Sequence, residues 1–256
     1  ILRTMLWAIE LEYDGTPFMG WQRQKHGVSI QQVIEEAAAK LRDGEVPAVT
    51  ASGRTDAGVH ALGQIAQLEL PNFSPNRIRE ALNYHLKPHP VVVLRATPAP
   101  PDWNARFSAV RRDYRYVISN RPTWPSIEAN RVWHVKAPLN EAAMHRAAQS
   151  LVGHHDFSSF RAAACQAKSP LRTLDALTVE RQGDHLVINA TARSFLHHQV
   201  RNMVGSLKLV GQGRWPEAAM AAVLAAKSRA AAGPTAPACG LYLVSIGYDP
   251  PLQFEA

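Results

Sequence analysis

The sequence predicts an α+β fold: two similar lobes sharing a largely antiparallel mixed sheet flanked by helices. Three observations lead there. Strand-like segments come in hairpins more than in βαβ units; the strongest pair, LDALTVERQ and HLVINATAR, flanks Gly183-Asp184. Each half of the chain carries strands and at least two helices. The 256 residues are 46% hydrophobic, enough for one large domain or two related lobes with a sizeable core. A boundary near residues 98–105 divides an N-terminal lobe, 1–102, from a C-terminal lobe, 103–256.

The elements follow in order. Residues 3–13 alternate as a strand, with Leu6, Ala8 and Glu10 opposite Trp7, Ile9 and Leu11. YDGTPFMGWQRQ then turns at Asp14-Gly15. SIQQVIEEAAAKL reads as a helix: Ser29 and Gln32 have capping-box spacing, and Ile30, Val33, Ile34, Ala37, Ala38 and Leu41 form one apolar stripe. QIAQLEL, 64–70, is a strand. Ser74-Pro75 starts a helix with proline at its first position, running to about Leu86. VVVLRA, 91–96, and DYRYVIS, 113–119, are strands, the latter with Tyr114, Tyr116 and Ile118 on one face. A helix from Asn140 to Val152 is closed by Gly153. FLHHQVRNMVGSLKLV and WPEAAMAAVLAAK are helical, and GLYLVSIGY is the last strand.

Composition narrows the function classes. No apolar run approaches the ~20 residues of a membrane-spanning helix. The opening ILRTMLWAIELEYDG is interrupted by charge and lacks a small-residue cleavage site, so no secretory signal is expected there. Two cysteines, Cys165 and Cys239, in so long a chain suit a reducing cytoplasm. The formal charge is +7, and 21 of the 28 basic residues are arginine. Residues 103–121 hold five arginines against Asp113, interleaved with Trp103, Phe107, Tyr114 and Tyr116. That mixture suits a nucleic-acid surface, although a strand with one solvated face gives the same pattern.

The segment ASGRTDAGVHA, 51–61, carries the most chemistry. Gly53 and Gly58 allow a tight turn or close approach of a ligand. If the segment is extended, Arg54 and Asp56 project to one side, and a nearby cation keeps a carboxylate ionised. An ionised, positioned aspartate can act as nucleophile or general base. A loop aspartate capping its own backbone is the plainer alternative. In SFLHHQVRNMVGSL, a helix would put His197 and His198 on the same side as Arg201. DFSSFRAAACQAKSPLRTL carries Arg161, Lys168 and Arg172 with no acid between Asp156 and Asp175, which suits phosphate contact. The histidines match no metal-ligand spacing, and no P-loop, dinucleotide fingerprint or Gly-x-Ser-x-Gly occurs.

The blocks EYDGTPFMGWQRQ, SIQQVIEEA, GRTDAGVHALGQ, NARFSAVRRDYRYVI, HDFSSFR, FLHHQVRNMVGSL and GLYLVSIGY together resemble the tRNA pseudouridine synthase A family, in its order and over nearly the whole chain. The resemblance implies isomerisation of uridine to pseudouridine at positions 38, 39 and 40 of the tRNA anticodon stem-loop, with no cofactor and no metal. It implies a basic cleft between the lobes and a homodimer. Asp56 is then the catalytic aspartate, Arg54 displaces the target nucleotide, Tyr114 stacks on the uracil and Arg201 pairs with Asp56. Further RNA contacts are expected from Arg23, Gln24, Thr55, His60, Arg112, Arg161, Lys168, Arg172 and His198. Asp113, where relatives often carry a basic or neutral residue, is a departure expected to weaken a phosphate contact. A non-catalytic RNA-binding protein explains the charge and aromatics equally well, but not a carboxylate set in a cationic site. A cofactorless glycosidase usually needs two working carboxylates, and GRTDAG supplies one.

Overall fold

The computed structural model describes residues 3–254. It is α+β, with a mostly antiparallel sheet flanked by helices. The chain packs as two compact units, residues 1–110 with 243–256, and residues 111–242. The division falls after Val110, beyond the 98–105 boundary expected from sequence, and the chain's end returns to the first unit.

In the first unit, β1 (Thr4–Tyr13) lies between β3 (His60–Pro71) and β4 (Val91–Pro98), and β10 (Leu241–Tyr248) lies on the other side of β3. Gly63 lets β10 in: a Cβ there would stand 2.5 Å from Val244 O. A two-residue strand, β2 (Thr50–Ala51), also pairs with β3. The β1–β3 ladder runs antiparallel from Thr4↔Pro71 to Leu11↔Gln64, then shifts register so that Tyr13 faces Ala61. Helices α1 (Ile30–Ala39) and α2 (Pro75–Leu86) start as their caps dictate. Ser29 and Ser74 hydroxyls accept from Gln32 N and Arg77 N, at 3.2 and 3.4 Å. The apolar stripes Ile30, Val33, Ile34, Ala37, Ala38 and Ile78, Leu82, Leu86 are buried.

In the second unit, the sheet order is β5 (Ala109–Ser119), β9 (His185–Ala192), β8 (Leu171–Gln182), β7 (Gly153–Asp156). The short β6 (Trp133–His134) runs parallel to β5, making the sheet mixed. The β8–β9 hairpin closes at Gly183, with φ +59°, as its sequence predicts. Helices α3 (Glu141–Gln149), α4 (Gln199–Gly211) and α5 (Ala219–Ala226) complete the unit. The helix expected over 195–210 begins only at Gln199. His198 is left-handed, φ +62°, which stops the helix, and Leu196 N donates to the Gln199 side chain at 2.9 Å. The helices expected over 140–152 and 215–227 are likewise shorter, and β2, β6 and β7 were too brief for a periodicity signal.

Candidate active site

The GRTDAG segment is the loop between β2 and β3, and a buried polar network holds it from beneath. Gln64 on β3 is fully buried, Ser52 is 1% exposed and Tyr13 is 3% exposed. Ser52 Oγ donates to Gln64 Oε1 at 2.7 Å, and Gln64 Nε2 donates to Gly53 O at 2.7 Å. The Tyr13 hydroxyl bonds the Thr55 hydroxyl at 2.8 Å. Trp21 N donates to Thr55 O at 2.9 Å, and Val59 N closes the turn onto Asp56 O at 3.1 Å. Gly58 takes φ +77° in that turn. Two glycines of the earlier motif serve the same loop. A Cβ on Gly15 would stand 2.0 Å from Val59 O, and one on Gly20 would stand 2.8 Å from Thr55 O. The YDG and MGW backbones therefore pack directly on the GRTDAG loop.

Asp56 sits half-buried at the crest of this loop, while Arg54 is exposed. Among the described residues Arg54 has no hydrogen bond or ion pair, so its guanidinium is not the group that fixes Asp56. Loop backbone and buried side chains do the fixing, and Arg54 keeps its donors for another partner. Thr55, expected to touch RNA, is buried in the network.

His60, also expected to touch RNA, is 2% exposed. Its Nδ1 accepts from Gly15 N at 3.0 Å and lies 3.1 Å from Asp14 Oδ1. One nitrogen cannot accept from an amide and donate to a carboxylate at once. Asp14 Oδ1 already accepts from Thr16 N and Oγ1, at 2.9 and 2.6 Å, so the Gly15 bond is the one assigned. His60 thus positions the Asp14-Gly15 turn. Arg23 pairs with the largely buried Glu35 at 2.7 Å, and Gln24 donates to Met19 O at 2.6 Å.

The remaining candidates lie in the second unit. Tyr114 on β5 is half-buried, edge-on to Phe195 with ring centroids 5.2 Å apart. Arg201 lies in the first turn of α4, half-buried, and its Nε donates to Ala236 O at 2.8 Å. His197 and His198 precede the helix, their rings 4.0 Å apart, so the helical spacing to Arg201 inferred from sequence does not apply to His197. Arg112 is buried and donates to Arg193 O. Arg161 reaches Cys165 O and Ala167 O at 2.8 and 2.7 Å, and Arg172 reaches Ser169 O and Leu171 O at 3.0 and 2.6 Å. These two arginines cinch their own loop, whereas Lys168 is exposed. Asp113 accepts from Arg111 Nε at 2.9 and 3.0 Å and from Thr191 Oγ1 at 2.7 Å, so its charge restrains Arg111.

Tyr13, Ser52 and Gln64 were not singled out from sequence. Tyr13 and Gln64 do stand inside the motif blocks, but their bonds to the loop span 42 and 11 residues and leave no local pattern.

An α+β scaffold with helices on a mostly antiparallel sheet, and an aspartate loop anchored where a central strand begins, has the features of a pseudouridine synthase. The chain matches the family model for tRNA pseudouridine synthase over residues 10–108 and 147–249. It is 60% identical to the tRNA pseudouridine synthase A of Acidiphilium cryptum, over 95% of this chain and 96% of that protein. It is 54% identical to that of Gluconobacter oxydans, over 94% and 89%, and 56% identical to that of Rhodospirillum centenum, over 94% and 99%. The chain belongs to the tRNA pseudouridine synthase family.

Proposed function

We propose that this chain isomerises uridine to pseudouridine at positions 38, 39 and 40 of the tRNA anticodon stem-loop, with Asp56 as the catalytic group. The observation that carries the reading is the Asp56 loop: a family member devotes a buried network of Tyr13, Ser52, Thr55 and Gln64 to presenting one carboxylate.

The chemistry asks for that arrangement. Uracil must leave C1′, turn, and rejoin through C5, and C5 must lose its proton. The reaction is isomeric, so no atom or electron enters or leaves overall. A positioned carboxylate can attack the base or ribose, or take a proton. A base stacked in a stem cannot be reached, so the nucleotide is flipped out at a cost of a few kcal/mol. Arg54, exposed beside Asp56, takes the role of displacing and gripping the nucleotide. Tyr114 stacks on the uracil, and its edge-on contact with Phe195 sets the ring plane. Arg201 supplies the cation that keeps Asp56 charged. Lys168 is the free phosphate contact of its loop. The working enzyme is a cytoplasmic homodimer acting on the anticodon arm without cofactor or metal. No helix among the described residues is long and apolar enough to cross a membrane.

The test is an unmodified tRNA transcript incubated with the protein, followed by mapping of pseudouridine in the anticodon arm. Modification is expected at positions 38–40 and should disappear in Asp56→Asn, with tRNA affinity within severalfold. Pseudouridine formed at a normal rate by Asp56→Asn would refute the assignment.

A further inference from the structure

Arg201 does not leave α4 as a free arm. Its Nε donates to Ala236 O at 2.8 Å, and Ala236 N returns a bond to Arg201 O at 3.1 Å. The direction of the guanidinium is therefore set by the segment around Ala236. Residues 232–237 form no helix or strand, so side chains must hold them.

The holding cluster is specific. Arg229 Nη1 donates to Gly233 O at 2.9 Å and to Ala232 O at 3.4 Å. Arg229 Nη2 donates to Thr235 Oγ1 at 3.1 Å and to Asn202 Oδ1 at 3.2 Å. Thr235 Oγ1 donates to the same Asn202 Oδ1 at 2.7 Å. Asn202, next to Arg201 in sequence and fully buried, donates to Phe160 O at 2.8 Å. Ser206 Oγ accepts from Gly233 N at 2.9 Å, and Tyr116 OH donates to Pro237 O at 2.7 Å. Burial pushes the Tyr116 phenol well above its ordinary value, helped by Cys239 and opposed by Arg201, so its hydroxyl stays a donor. Gly205 leaves the room: a Cβ there would stand 1.7 Å from Pro234 O.

We propose that Arg229 is a positioning residue for Arg201, acting through the 232–237 strap. Its planar fork grips two strap carbonyls with one nitrogen and the Asn202–Thr235 pair with the other. The strap then presents Ala236 O where it accepts from Arg201 Nε, which sets the direction of the guanidinium. The inference rests on the reading of Arg201 given above.

The experiment is a double-mutant cycle on pseudouridine formation in tRNA transcript, with kcat, KM and melting temperature recorded for each protein. Arg229→Lys keeps the charge and loses the fork, and Thr235→Val removes one hydroxyl at constant shape. Both are expected to lower kcat about tenfold or more, since misplacement by about 1 Å can cost as much as 10²-fold, with KM within about twofold. In an Arg201→Ala background, neither change should lower kcat further. Should Arg229→Lys and Thr235→Val leave kcat intact, or should their losses multiply with that of Arg201→Ala, the positioning role is overturned. If Arg201→Ala itself runs at the parent rate, the catalytic reading of Arg201 falls and this inference falls with it, a result told apart by that single variant.

Discussion

Replacing Gln64 by leucine tests whether the buried network holds the Asp56 loop. The side chain is fully buried and uses both ends: the carbonyl accepts from Ser52 Oγ, and the amide donates to Gly53 O, each at 2.7 Å. Leucine has nearly the same shape and neither group. Ser52, 1% exposed, loses the bond it donates to Gln64 Oε1 inside the core, which costs about 1–3 kcal/mol. Gly53 O is half-buried and can turn to water, so its loss is smaller, about 0.5–1.5 kcal/mol. Added apolar burial offsets up to about 1 kcal/mol. The net destabilisation is then roughly 1–4 kcal/mol, a melting temperature lower by about 2–16 °C in a chain of this size. The loop also loses its tie at Gly53, three residues before Asp56, so kcat should fall about 10–100-fold with KM nearly unchanged. Thermal unfolding and single-turnover pseudouridine formation measure the two effects. A Gln64→Leu protein that melts within about 1 °C of the parent and keeps its kcat would refute the argument that Gln64 holds the loop.

Three further predictions follow from the same geometry. Arg54→Ala should slow catalysis strongly; if Arg54 only binds phosphate, the change would instead weaken tRNA affinity and flatten its salt dependence. Iodoacetamide at pH 8, read by mass spectrometry, should label Cys165 before Cys239. Burial pushes the Cys165 thiol up, but the backbone N–H groups of Ala167 and His197 and the Arg161 guanidinium outweigh it and leave the value lowered; burial of Cys239 raises its thiol despite Arg201. Thiolate therefore appears on Cys165 at lower pH, and equal or reversed labelling would contradict that order. Gly205→Ala should cost about 2–3 kcal/mol by driving a methyl into Pro234 O and should lower kcat by displacing Ala236, both visible in a melt and a rate assay.

The sequence makes the candidate site groups legible and hides most of what holds them. Asp56 stands out because its motif is short and local. The helix stripes and the β8–β9 hairpin stand out because they repeat with a period or carry a turn signal. Hydrogen bonds between distant residues do neither. Tyr13 reads as the end of a strand, and only the shift in the β1–β3 ladder brings its hydroxyl to Thr55. His60 reads as an RNA contact, yet the start of β3 turns its ring inward to Gly15. Arg161 and Arg172 count as positive charge, but charge says nothing about acceptors, and their own loop carbonyls are within reach. The apolar pattern through Phe195 and Leu196 extends a helix on paper, and a left-handed His198 has no periodicity by which to announce its break.

Asp56 sees the same division from the chemical side. A flexible carboxylate in water would meet an extruded base only rarely, and its charge would be screened. The loop answers the first problem by rigid backbone ties from Trp21, Gln64 and its own turn, none of which involves the carboxylate oxygens. Ties at residues 53, 55 and 59 therefore position the loop through its backbone, apart from any contact the carboxylate itself makes. The first-unit arginine nearest in sequence, Arg54, forms no ion pair among the described residues. Loss of the backbone ties should therefore lower the activity of Asp56 separately from, and in addition to, any loss caused by removing Arg54. Gln64→Leu and Arg54→Lys make the comparison: the first should lower kcat for every tRNA alike, whereas the second, which keeps the charge, should leave the pH dependence of kcat where it is.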